Sequence, residues 1–156
     1  MDGMAINDAI LEVIALTQSE ALKNGVSVQT KLADGLPLIR GDRVQLQQVI
    51  LNLILNAIEA MSGANQTARE LRVSSGNTES GDVVVAVADS GPGFSPANLE
   101  RVFDPFYTTK PGGLGMGLSI CRSITETHGG QLWVSANMPR GAVFRFTLPV
   151  NRGAFS

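Results

Sequence analysis

With 156 residues, 44% of them hydrophobic and 17% charged, the chain has the make-up of one globular domain with a single sizeable core, and not of a disordered polymer. A net charge of −2 without any basic block argues against nucleic acid or an anionic membrane surface as partners. One cysteine, Cys121, can form neither an internal disulfide nor a thiolate metal cluster. It sits in an apolar helical run and reads as a buried small hydrophobe rather than a nucleophile. The N-terminus lacks the basic and apolar regions of a signal peptide, and no apolar run reaches spanning length, so the expectation is a soluble cytoplasmic domain.

In chain order, Met4-Ala5-Ile6 is expected to form a short strand, with Asn7 capping a helix that runs to Lys23 and closes at Asn24-Gly25. Val26, Val28, Thr30 and Leu32 alternate with polar residues as in a half-buried strand. Leu36 to Ile39 allows only a brief strand. Gly41-Asp42 caps a long helix to Met61, and Ser62 to Arg69 reads as a loop. Glu70 to Ser75 and Asp82 to Ala88 are expected as a hairpin around Gly76 to Gly81. A helical turn over Ala97 to Arg101 and a helix over Ser119 to Thr127 follow, the latter stopped by Gly129-Gly130. Gln131 to Ala136 and Ala142 to Leu148 form a last hairpin around Pro139-Arg140-Gly141. Three helices among five to seven strands with adjacent hairpins imply an α+β fold, a two-layer α/β sandwich with a mixed sheet and helices on one face.

Four stretches carry candidate chemistry. On the helix from Asp42 to Met61, the side chains of Gln45, Gln48, Asn52, Asn56 and Glu59 fall within roughly 80° of arc, with apolar residues elsewhere. Asparagine is a poor helix-interior residue. Asn52 and Asn56 therefore either line a ligand site or belong to the solvated face of a core helix. In the second stretch, the apolar run Val83 to Ala88 delivers Asp89 to Ser90-Gly91-Pro92-Gly93. An ionised Asp only accepts hydrogen bonds. It would select a ring with an exocyclic amine, such as adenine, and repel the carbonyl that guanine has there. Gly91 and Gly93 would admit a ligand against the backbone, or else all three are turn-formers. In the third, Phe103 and Phe106 anchor a loop whose tip, Thr108, Thr109 and Lys110, suits phosphate oxygens, though such a tip is also an ordinary surface turn. The fourth is the glycine run through Gly113, Leu114, Gly115, Met116, Gly117 and Leu118, which opens a helix. Helix N-termini attract anions, although a glycine run is also a plain linker. No GxxxxGK[ST] or GxGxxG motif occurs, nor the VAIK, HRD and DFG elements of protein kinases.

Taken jointly and in this order, the four stretches resemble the N, G1, F and G2 boxes of the GHKL superfamily, whose fold is the Bergerat ATP-binding sandwich. The nearest likeness is to the catalytic and ATP-binding domain of bacterial two-component sensor histidine kinases. It is carried by LPLIRGDRVQLQQVILNLILNAIEAM, VFDPFYTTKPGGLGMGLSICRSI and HGGQLWVSANMPRGAVFRFTLP. The likeness covers about Ile6 to Val150. It implies a single domain over 1–156 that binds ATP and Mg²⁺, with Asn56 on the metal, Asn52 beside the phosphates and Asp89 on the adenine amine. By the same likeness Gly91 and Gly93 shape the pocket and Thr147 supports the adenine contact. Thr108, Thr109 and Lys110 would lie by the phosphates, and the segment to Leu118 would close over them as a lid.

One departure matters. Where hydrolysing relatives carry a water-activating glutamate, this chain has Asn52, and an amide cannot act as a general base. Glu59 lies on the same stripe but about 10 Å further along. The γ-phosphoryl group should be preserved for transfer, which depends chiefly on positioning and charge neutralisation. The one histidine, His128, stands at a helix C-terminus and reads as a structural partner of the helix dipole. The resemblance puts the acceptor histidine on a separate dimerisation domain of the parent kinase, allows that parent a membrane anchor, and implies a response regulator downstream. The isolated domain would be monomeric, without direct membrane or nucleic-acid contact. A stand-alone anti-sigma-factor-type serine kinase and a non-catalytic, nucleotide-dependent binding module are the alternative readings.

Overall fold

The elements follow from two periodicities, 3.6 for the helices and 2 for the strands, both with their apolar side turned to one shared layer. The computed structural model describes residues 3–62, 68–99, 101–104, 117–137 and 140–150. In order these form β1 (Gly3–Met4), α1 (Ile6–Lys23), β2 (Ser27–Leu32), β3 (Ile39–Arg40), α2 (Arg43–Ser62) and β4 (Glu70–Asn77). Then come β5 (Val83–Asp89), α3 (Pro96–Leu99), α4 (Gly117–Thr127), β6 (Gln131–Ala136) and β7 (Ala142–Leu148).

Five strands make one sheet in the order β2-β4-β5-β7-β6. Strands β2 and β4 are parallel, and every other neighbouring pair is antiparallel. The short β1 and β3 pair separately. Along β5 burial alternates strictly, with Val83, Val85, Val87 and Asp89 inside. Helix α2 lies over this central strand and between α1 and α4. It buries Leu46, Val49, Ile50, Leu53, Ile54, Ala57, Ile58 and Met61. Its opposite stripe is polar as expected: Gln45, Gln48 and Glu59 are exposed, and Asn52 and Asn56 are half-buried. The result is the expected two-layer α/β sandwich, with a mixed, mostly antiparallel sheet.

Several local expectations need correction. Ala5, not Asn7, is the N-cap of α1, and no side chain caps it. The amide of Asn7 instead donates to the Ala33 carbonyl, and its oxygen accepts from the Ser75 hydroxyl, so it ties α1 to the sheet. The β4–β5 turn is tighter than expected because β4 continues to Asn77, and Thr78 and Gly81 complete the reversal. Helix α4 starts at Gly117, two residues early. Part of the expected loop, 63–67, lies outside the described residues. By length and composition α2 passes the test for a membrane-crossing helix, as the core helix of a soluble domain can, and here its apolar side is the centre of the core.

The start of α2 is anchored twice, once locally and once across the fold. Asp42 caps it through Oδ1, which accepts from the Gln45 N–H at 3.1 Å. The Asp42 N–H donates to Nε2 of His128 at 3.0 Å, while Nδ1–H of the same ring donates to the Ile124 carbonyl at 2.9 Å. A backbone N–H can only donate, which fixes the tautomer. His128 thus joins the end of α4 to the start of α2, more than a dipole partner would do. It is 8% exposed. His128→Ala removes both bonds, leaves the part-buried Asp42 N–H unpaired, and is expected to cost about 2 kcal/mol of stability. Urea unfolding at neutral pH measures it.

Candidate functional site

Strand β5 ends inside the molecule. Asp89, its last residue, is 4% exposed, and a carboxylate so placed must be compensated by hydrogen bonds. The compensation comes from backbone: Oδ1 accepts from the Gly91 N–H at 2.8 Å and from the Ala142 N–H at 3.4 Å. Among the described residues Oδ2 accepts nothing, which leaves one oxygen of a held carboxylate for a ligand. Burial pushes the Asp89 pKa up, and the two N–H groups pull it part of the way back.

The glycines after Asp89 are there for closeness. A Cβ on Gly91 would stand 3.0 Å from Asp89 Oδ1 and 3.4 Å from Met61 Cγ. Gly93 has φ of 72°, and a Cβ there would stand 2.8 Å from the Gly141 carbonyl oxygen. The strand-end loop therefore lies against the last turn of α2. From Ala60, Asn56 is one turn back, roughly 6 Å, and Asn52 two turns back, roughly 12 Å. The polar stripe of α2 thus leads away from Asp89 like a rail.

Asn52 is oriented by its neighbour on α4. Its Nδ2–H donates to Cys121 Sγ at 3.6 Å, and the thiol in turn donates to the Val49 carbonyl at 3.9 Å. With Nδ2 engaged, the amide oxygen is turned away from Cys121. The cysteine is fully buried, and burial pushes its pKa up to about 11. It is a packed thiol and no nucleophile, as expected. The amide of Asn56 makes no hydrogen bond among the described residues. No cluster of His, Cys, Asp or Glu able to hold a metal occurs among them either.

Beyond Gly93 the wall of the site is aromatic. The Phe94 and Phe103 rings stand edge-on to Phe144 of β7 at 6.3 and 6.1 Å, and the Arg122 guanidinium of α4 lies 5.2 Å over Phe103. Phe103 is the loop anchor that its position suggested. Leu118 packs on the core, and Gly117 opens α4 with free space where a Cβ would be. Phe106, Thr108, Thr109, Lys110, Gly113, Leu114, Gly115 and Met116 lie outside the described residues.

Thr147 is placed elsewhere than expected. It pairs with Val84 and Gln131, five residues along β5 from Asp89, or roughly 16 Å. The parity of the strand puts it on the opposite face of the sheet, where its hydroxyl accepts from the Gln131 N–H. The residue of β7 beside Asp89 is Ala142. The turn before it was legible as a turn, but its contact with Asp89 arises only because β7 is the neighbour of β5. Asn137, Arg140 and Gly141 reach the strand-end loop for the same reason.

The raised pKa has a consequence for stability. A group that holds its proton more tightly folded than unfolded adds stability as pH falls, fully below its unfolded pKa, and loses it as pH rises through the folded one. Wild type should therefore gain stability relative to Asp89→Asn on acidification through the region just above the ordinary aspartate range. Denaturant titrations of the two proteins at several pH values measure this difference, and a difference that shrinks on acidification would contradict the burial argument.

Residues 41–152 match the family model described as histidine kinase-, DNA gyrase B- and HSP90-like ATPase. The sensor protein FixL of Bradyrhizobium diazoefficiens is 44% identical over 147 residues, which is 93% of this chain but 28% of FixL. The catalytic domain of histidine kinase ThkA superposes with a TM-score of 0.82 at 34% identity, covering 96% of each chain, and ThkA has also been solved in complex with the response regulator protein TrrA. Full-length ShkA, solved in complex with AMPPNP, gives a TM-score of 0.83 at 28% identity over 95% of this chain and 30% of its own. The expected Bergerat sandwich is thus the fold found, and the chain belongs to the histidine kinase-, DNA gyrase B- and HSP90-like ATPase family, as a catalytic domain of the sensor histidine kinase type.

Proposed function

We propose that the chain binds ATP together with Mg²⁺ and presents the γ-phosphoryl group to a histidine on a separate dimerisation domain of its parent protein, in a two-component pathway with a response regulator downstream. The observation that carries this reading is Asp89. A buried carboxylate with one oxygen held by two backbone N–H groups and the other open is a fixed acceptor. It accepts from the adenine amine and rejects a carbonyl at the same position. The stripe on α2 then runs from the base toward the phosphates, with Asn56 nearer the base and Asn52 further along.

Neutral amides suit this end of the site. Mg²⁺ takes few protein ligands when phosphates supply the charge and keeps several waters. The open amide oxygen of Asn56 fits such a metal without a carboxylate cluster. When bound, the metal neutralises charge on the phosphate oxygens. Asn52, pinned through Nδ2, offers an amide and no base, so water is not activated and the phosphoryl group is kept for transfer. His128 is not suited to be the acceptor, because both of its ring nitrogens already hold α4 to α2. Thr108, Thr109 and Lys110, with the glycine run to Gly117, are assigned to the phosphates and the lid by the family likeness alone.

The dimerisation domain supplied in trans with γ-labelled ATP should become labelled on its histidine. An unlabelled acceptor under all conditions, with nucleotide bound, would overturn transfer. Replacing the carboxylate, Asp89→Asn, should weaken ATP binding by about 1.5–3 kcal/mol, the cost of a charged hydrogen bond. Calorimetry with Mg²⁺ measures it.

A further inference from the structure

Strand β5 loses its partner on one side just where Asp89 begins to matter. The ladder between β5 and β7 ends at Ala88 opposite Val143, so the main chain of Asp89 to Gly91 has no further strand bonds on that side. The turn between β6 and β7 takes their place. The Asn137 side-chain amide donates to the Asp89 carbonyl at 2.7 Å. Its own N–H donates to the Gly141 carbonyl at 3.0 Å and braces the turn. Arg140 Nε–H donates to the Gly91 carbonyl at 3.2 Å. Gly141, at φ of 107°, packs so close to the Asp89 carbonyl that any Cβ would overlap it. The next residue, Ala142, donates its N–H to the carboxylate itself.

We infer that Asn137 and Arg140 are positioning residues for base recognition, a clamp that sets the aim of Asp89 Oδ2. The inference rests on the reading that Asp89 takes the purine amine. A carboxylate on the terminal residue of a strand turns with its backbone, which β4 holds on one side only, so its acceptor direction is only as exact as the carbonyls that follow it. Asn137 holds the near carbonyl and Arg140 the one two residues on. Together they stop the strand-end loop from rotating about the bonds that Oδ1 makes. Their side chains act on main-chain carbonyls, so their contribution falls on the amine contact and leaves the phosphate end unaffected.

The test compares ATP with purine riboside triphosphate, which lacks the exocyclic amine, by calorimetry on the whole chain with Mg²⁺. For Asn137→Ala, ATP affinity should fall about five- to tenfold while affinity for the amine-free analogue stays within about twofold, the loss of one positioning bond acting only on the amine. Arg140→Met, a change at an exposed position that keeps the aliphatic stem, should show the same collapse of the ratio in weaker form. Equal losses for both nucleotides in the two variants, or an unchanged ratio, would overturn the clamp. Were wild type itself to bind both nucleotides equally, the adenine reading of Asp89 would fail first, a result separable from failure of the clamp.

Discussion

Removing a carboxylate from water is the constraint around which this site is built. Asp89 is buried at the end of the central strand, and the cost is met by main-chain N–H groups of two segments, the Gly91 turn and the start of β7. Each of those segments must come within hydrogen-bonding reach, which explains the glycines around it. Gly91 and Gly141 are needed because side chains there would meet the carboxylate or its own carbonyl. The same compensation leaves the second oxygen open, so the arrangement that makes burial tolerable also leaves an acceptor held in one place.

The second element is α2, whose two faces serve different ends. Its apolar side is the middle of the core, packed on β5 and between α1 and α4, and so cannot move without unfolding the domain. Its polar stripe inherits that rigidity. Asn52 is further held by Cys121, and the start of the helix is held by His128 across from α4. A ligand lying along the stripe meets side chains whose positions are set by packing, which is the condition for phosphoryl transfer to rely on placement.

How much of this the sequence made legible differs from element to element. The stripe on α2 was readable because helical periodicity fixes which residues share a face whatever the helix packs against. Asp89 was readable because an apolar strand followed by Gly91 and Gly93 leaves little choice of where the carboxylate stands. The place of Asn7 was not readable: a helix-capping asparagine and one that crosses to Ala33 and Ser75 look alike along the chain. Thr147 failed for a related reason. Its distance from Asp89 depends on the register between β5 and β7, and a shift in register moves a residue along the neighbouring strand and across the faces of the sheet.

By itself the sequence determined the order of the elements, the polar rail of α2, the strand-end acceptor and the family to which these belong, since all of them are written in local periodicity and in residues near one another along the chain. Tertiary structure alone decided that β7 lies beside β5, and with it that Asn137, Arg140, Gly141 and Ala142 surround Asp89. It also decided that the one histidine joins two helices. The physical reason is the same in each case: contacts between segments far apart in the chain depend on strand order and register, which burial of the whole core selects and no short stretch encodes.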